Sequence, residues 1–210
     1  MFRFYIVITL IASLFGSAVY ADQRKIPDYP TSREEYFWKV LYPTGFTFYC
    51  GEEFTNSKKA TSGKKINIEH VFAASWIAEA LGCGTRKECQ AKSVRFNHAE
   101  ADLHNLYPVI SRINSSRRNL PFGIIEGNKK KWGCSFERSK DLVEPRDEIK
   151  GDIARSILYI ADEYQLSVPY DMKPLLLKWH KKDPPSNHEK SRNDLIFKIQ
   201  GTRNKYIDNW

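Results

Sequence analysis

Glu69 and His70 stand side by side in this chain. A carboxylate is a hard oxygen ligand for a divalent cation. An imidazole, with an ordinary pKa of about 6.5, exchanges protons near neutral pH. The pair could therefore join metal binding to general-base catalysis. His70 is one of five histidines, the others being His98, His104, His180 and His188. A second dense segment, Glu100-Ala-Asp-Leu-His-Asn-Leu-Tyr-Pro108, leads into a stretch carrying Asn114 and Arg117. Neither feature is diagnostic alone, since a structural histidine beside a solvated glutamate and a capped helix start would look the same. The HExxH helix, the GxSxG elbow and the P-loop are all absent.

The elements that must position these groups can be read from periodicity. Lys64 to Val71 alternates polar and apolar residues as a half-buried strand does, with Ile66 and Ile68 facing one way and Asn67 and Glu69 the other. Pro108 can open a helix through Ile110, Ile113 and Asn114 that stops near Ser116 to Arg118. Upstream, Ser32-Arg-Glu-Glu35 reads as a capping box for a helix ending near Pro43, followed by an aromatic strand from Phe46 to Tyr49. Residues 82–98 read as a disulfide-tied loop, and 127–133 as an exposed turn before a strand over 134–136. Ile149, Ile153, Ile157, Ile160 and Tyr164 form an apolar stripe on a long helix. Two more helices are expected over about 171–182 and 187–200, the latter with Ser186 and Glu189 as a capping box.

Composition narrows the class. In 210 residues, 41% are hydrophobic and 28% charged, which excludes a disordered chain and a multispan membrane protein. A net charge of +8 favours phosphate-rich or acidic partners. Arg3 followed by an apolar run to Tyr20 and closed by Ala21 reads as a signal peptide, residues 1–21, ahead of one domain over 22–210. The four cysteines are Cys50, Cys83, Cys89 and Cys134, an even number suited to an oxidising compartment. They allow three pairings, and the closeness of Cys83 to Cys89 around Gly84 and Thr85 favours 83–89 with 50–134.

Taken in order, the motifs resemble the bacterial endonuclease I family of periplasmic and secreted nucleases with a ββα-metal (His-Me finger) core. The resemblance runs through Phe46-Thr-Phe-Tyr-Cys-Gly51, Glu69-His-Val71, Gly84-Thr-Arg-Lys-Glu-Cys89, Glu100 to Pro108 and Asn114-Ser-Ser-Arg117. It continues into Ile153-Ala-Arg155, Ile199-Gln-Gly201 and Asn204. It implies an α+β fold, stabilised by disulfides, with helices added to that core.

It also implies roles. Glu69 and Asn114 would hold a divalent ion, magnesium first, with manganese and calcium as alternatives. His70 would act as general base and Arg86 would approach the scissile phosphate. Glu100 and Asn105 would orient His70 or the metal's waters. Arg117, Arg118, Lys129, Lys130 and Lys131 would contact nucleic-acid phosphates. The expected protein is thus a periplasmic or secreted, sequence-nonspecific endonuclease acting on DNA and RNA, a monomer without stable membrane association. The rival from another class is a non-catalytic polyanion-binding protein on the same fold, which predicts no effect of metal.

His70→Ala is expected to leave folding and DNA binding nearly intact while lowering turnover by about two to four orders of magnitude, the range of a general base. Cleavage kinetics beside a gel-shift titration check this, and an alanine variant cutting at the wild-type rate would remove His70 from the mechanism.

Overall fold

The computed structural model describes residues 22–55, 58–127 and 133–210. The expected signal peptide and Lys129 to Lys131 lie outside the described residues. No helix among those described is long and apolar enough to cross a membrane.

The described chain mixes helices with three separate antiparallel strand pairs. It begins with a helical turn, α1 (Tyr29–Thr31), which continues as a wider π-type helix over Ser32–Leu41. Asp28 caps that turn by accepting from the Thr31 amide at 2.8 Å. The capping box expected at Ser32 is not formed. Ser32 lies inside the helix, buried, and its hydroxyl donates to the Ala101 carbonyl at 2.7 Å. Strand β1 (Thr44–Phe46) pairs with β2 (Glu53–Thr55). The strand expected over Phe46 to Tyr49 is displaced upstream, because Thr47 already accepts the Gly51 amide and closes a turn.

The central pair is β3 (Ile66–His70) with β4 (Leu106–Ile110), in register Glu69 with Tyr107 and His70 with Leu106. All five residues of β4 are buried, which reads as a core strand. Pro108 therefore sits in a strand and opens no helix. Its carbonyl faces away from β3 and accepts the Phe48 amide at 2.7 Å, so the missing N–H removes no bond of the ladder. The following helix, α5, spans Ser111–Arg117 and packs against both strands.

Between the central strands lie α2 (Ala74–Ala80), α3 (Arg86–Lys92) and α4 (Val94–Ala101). Residues 82–98 are thus mostly helical. The glycines and charges masked two cap signals: Thr85 with Glu88 forms a capping box for α3, and Ser93 accepts the Phe96 amide to start α4. Cys83–Cys89 and Cys50–Cys134 are bonded, the pairing favoured by spacing. Beyond them, β5 (Glu137–Arg138) pairs with β6 (Val143–Glu144), slightly downstream of the strand expected over 134–136.

The C-terminal half is the scaffold. Helix α6 (Lys150–Glu163) buries the expected apolar stripe and packs on α7 (Lys173–Lys182). Helix α8 (Asn187–Gln200) begins with the Ser186–Glu189 capping box and ends at Gly201, whose φ of 84° suits a residue without Cβ. Arg155 of α6 donates two bonds to Glu189, at 2.7 and 2.6 Å, with both side chains buried. Asp102 accepts from Tyr164 at 2.9 Å and from Gln200 at 2.8 Å, which ties the segment between α4 and β4 to α6 and α8. A last short helix, α9 (Lys205–Asp208), is capped by Asn204.

His104 sits in this scaffold, fully buried, its Nε2 against the Thr202 carbonyl at 3.2 Å. Burial, with the Arg192 charge second, pushes its pKa down to about 3. The unfolded chain therefore binds a proton below about pH 6.5 that the native state refuses, so stability falls as pH drops through that window. As pH falls from 6.5 to 4.5, urea unfolding is expected to show the wild type losing on the order of 1 kcal/mol of stability per pH unit more than His104→Gln. Parallel pH dependences for the two proteins would contradict this.

Candidate active site

Strand β3 ends at the two residues with the most chemistry. Glu69 is 2% exposed, yet its Oε1 accepts from two donors, the Tyr49 hydroxyl at 2.7 Å and Arg117 Nη1 at 2.6 Å. Both bonds fall on the same oxygen, so Oε2 has no hydrogen bond among the described residues. Arg117 comes from the last turn of α5 and is 1% exposed. Its guanidinium also donates to the carbonyls of His70 at 2.8 Å and Val71 at 2.9 Å. It lies between the Trp76 and Phe122 rings, 4.9 and 4.8 Å from their centroids. Those ring faces stabilise the cation where water is excluded. Burial raises the Glu69 pKa, while the Arg117 charge and the two hydrogen bonds work against that rise.

His70 is fixed by an acceptor. Its Nε2 lies 3.0 Å from the Glu100 carbonyl oxygen. A carbonyl cannot donate, so Nε2 carries the proton and Nδ1 holds the lone pair. Burial, then the Arg86 charge, pushes the His70 pKa down to about 3, which keeps the ring neutral at physiological pH. Glu100 serves twice, because its buried carboxylate accepts from Arg86 Nε and from Gln90 Nε2. Arg86, on the first turn of α3, is about half exposed, with its guanidinium tethered at one edge.

Asn114 projects from α5 beside β3. Its amide nitrogen donates to the Ile68 carbonyl at 3.0 Å and to Asn67 Oδ1 at 3.1 Å. Because the Ile68 carbonyl can only accept, the nitrogen is pinned and Oδ1 is the atom left over. Glu69, His70, Arg86, Asn114 and Arg118 all line one open cleft of about 870 Å³. Among the described residues no three His, Cys, Asp or Glu side chains cluster as a ligand set. The donors available for a metal are therefore one carboxylate oxygen and one amide oxygen, both free of protein donors. That set fits a hard cation that keeps several waters.

Asn105 is not among the residues lining the cleft, whereas Arg117 is. Asn105 is fully buried and grips the Phe72 backbone, accepting its amide at 2.7 Å and donating to its carbonyl at 2.9 Å. It holds the chain that leaves His70 and makes no contact with the imidazole. Arg117, expected at phosphate, lines the cleft but is 1% exposed, and its hydrogen bonds go to Glu69 and to the carbonyls of His70 and Val71. Arg118, its neighbour, is exposed at the cleft with φ 56° and ψ −119°. Tyr49 and Gln90 escaped the sequence reading. Tyr49 lies in the aromatic run Phe46 to Tyr49, where core packing explained it, and Gln90 carried no motif.

A neutral imidazole with an open lone pair, a free carboxylate oxygen and a free amide oxygen lie beside arginine in an open cleft, a set that can carry phosphodiester hydrolysis. The sequence profile of the Endonuclease I family matches residues 17–210, and the chain belongs to that family. It is 35% identical over 179 residues to Endonuclease-1 of Buchnera aphidicola subsp. Baizongia pistaciae, covering 81% of this chain and 72% of that protein. It is 31% identical over 185 residues to an extracellular deoxyribonuclease of Aeromonas hydrophila, covering 77% and 80% respectively. An extracellular ribonuclease of Bacillus amyloliquefaciens is 33% identical over 180 residues, or 76% of this chain and 56% of that protein.

The Arg118 backbone occupies a region that L side chains rarely adopt, at a cost of order 1–3 kcal/mol. Arg118→Gly is expected to raise unfolding stability by about 1 kcal/mol while weakening DNA affinity in a salt-dependent manner. Chemical denaturation and gel shifts at two salt concentrations check both signs, and a glycine variant that binds as tightly as wild type would take Arg118 out of the interface.

Proposed function

We propose that this chain is a periplasmic or secreted, metal-dependent, sequence-nonspecific endonuclease that hydrolyses DNA and RNA through a ββα-metal centre in a single domain, residues 22–210. The observation that carries the reading is the His70 tautomer: Nε2 is locked on the Glu100 carbonyl and Nδ1 is left as the only basic ring atom. The relatives are named endonuclease, deoxyribonuclease and ribonuclease, with periplasmic and extracellular locations in their names. The strand pair β3–β4 followed by α5 supports the ββα reading.

Glu69 and Asn114 would hold the cation, magnesium for preference, with manganese and calcium as alternatives. When bound, such an ion supplies Lewis-acid stabilisation of charge on the phosphate. The chain's own residues do the rest. His70 Nδ1 takes the proton from the attacking water, and burial keeps the ring unprotonated at neutral pH. Arg86 keeps free guanidinium N–H groups for a phosphate oxygen while its Nε stays on Glu100. The Tyr49 and Arg117 donors hold the Glu69 carboxylate in one orientation. Water attack with loss of the 3′-oxygen leaves a 5′-phosphate. Arg118 and the segment Lys129 to Lys131 would neutralise phosphates, and backbone contact of this kind reads no bases.

Supercoiled-plasmid nicking with magnesium or with EDTA tests the function. Nicking is expected with magnesium and none in EDTA, and loss of nicking is expected in both Glu69→Ala and Asn114→Ala. Raised magnesium should restore Asn114→Ala more fully, because a hard dication depends most on its anionic ligand. Unchanged magnesium dependence in Glu69→Ala, or nicking in EDTA, would overturn the reading in favour of a different centre.

A further inference from the structure

Tyr29 was singled out by no motif, yet it lines the catalytic cleft from the other side of the chain. Its ring centroid lies 4.8 Å from that of His70, tilted by 54°. The Arg86 guanidinium carbon lies 5.3 Å from the same ring. Asp28 fixes the turn that carries it, and that turn packs on α4, the helix that contains Glu100. His70 and Arg86 are thus bound to one another twice. Glu100 joins them through its carbonyl and its carboxylate, and Tyr29 touches both through one aromatic ring.

We propose that Tyr29 is a positioning residue, whose ring sets the placement of the Arg86 guanidinium relative to the His70 imidazole. The inference rests on the nuclease reading above. Arg86 needs such a support because it is about half exposed and Glu100 holds it by its Nε alone, which leaves rotation about the remaining side-chain bonds. A π face attracts a guanidinium without consuming an N–H group. The donors that the phosphate needs therefore stay free. The same ring lies tilted against His70 and leaves the Nε2 bond to Glu100 intact. Arg33, which also lines the cleft, lies over this ring at 6.0 Å, farther than Arg86. The contact that matters is the π face, and the phenol hydroxyl has no bond to either catalytic group.

The test is a set of variants in the full-length protein, with kcat and KM measured separately on a plasmid or oligonucleotide and folding checked by thermal melting. Tyr29→Phe keeps the face and is expected to stay within about twofold of wild type, whereas Tyr29→Leu should lower kcat on the order of tenfold to a hundredfold with KM changed far less. The decisive comparison is the double variant. In an Arg86→Ala background, Tyr29→Leu should cost less than about threefold, because the group it positions is gone. Equal losses in the two backgrounds would mean a general structural effect and would overturn the proposal, as would a Tyr29→Phe variant as slow as Tyr29→Leu. If Tyr29→Leu does not fold, Tyr29→Met supplies bulk without a π face and is read in the same way. Full activity in His70→Ala and Arg86→Ala would instead refute the nuclease centre itself, whereas losses in those two beside a fully active Tyr29→Leu would refute only this proposal.

Discussion

The buried contact between Arg117 and Glu69 is the constraint around which the site is arranged. A carboxylate that is 2% exposed cannot remain charged without strong compensation, and burying an ion commonly costs several kcal/mol. Arg117 supplies the countercharge, and Tyr49 adds a second donor to the same oxygen. The consequence is directional. With both donors on Oε1, Oε2 is left without a hydrogen bond among the described residues. Nη1 and Nη2 of the same guanidinium also donate to the carbonyls of His70 and Val71, so one cation orients the carboxylate and stiffens the end of the strand that carries the imidazole.

Glu100 repeats this economy on the far side of His70. Its carbonyl selects the imidazole tautomer and its carboxylate tethers Arg86, so His70 and Arg86 refer to a single residue. That residue cannot drift, because the chain after it is tied down. Asp102 is bonded to Tyr164 and Gln200, and Asn105 holds the backbone of Phe72. The Arg155–Glu189 pair then locks α6 to the start of α8. The motifs near the C-terminus thus act on the site through the scaffold, with no part in its chemistry.

How much of this was legible in the sequence depended on whether the signal was local. The β3 alternation, the apolar stripe of α6 and the Ser186–Glu189 box are short-range patterns, and each element forms close to where it was read. The pairing of the cysteines followed spacing. Pro108 misled because helix openings and edge-facing strand positions both tolerate a missing N–H, and only the partner strand decides between them. Residues 82–98 misled because glycine and cysteine drew attention from the Thr85 and Ser93 caps. Arg117 was the instructive case. Its type and position fit a phosphate contact, and nothing local reveals that Trp76, Phe122 and Glu69 close over it. Tyr49 and Tyr29 were invisible for the same reason, since their partners lie 20 and more residues away in the chain.

The central claim is that Glu69 and Asn114 present the two free oxygens of one cation site. Crystals soaked in manganese, with an anomalous-difference map computed at the cleft, test it most directly. The account predicts one strong peak in the cleft beside Glu69 and Asn114, with the Arg117 bond to Glu69 retained. A peak beside Glu100 or Asp102 with none at Glu69, or no peak in the cleft while crystals of the same form cleave DNA with manganese, would contradict it.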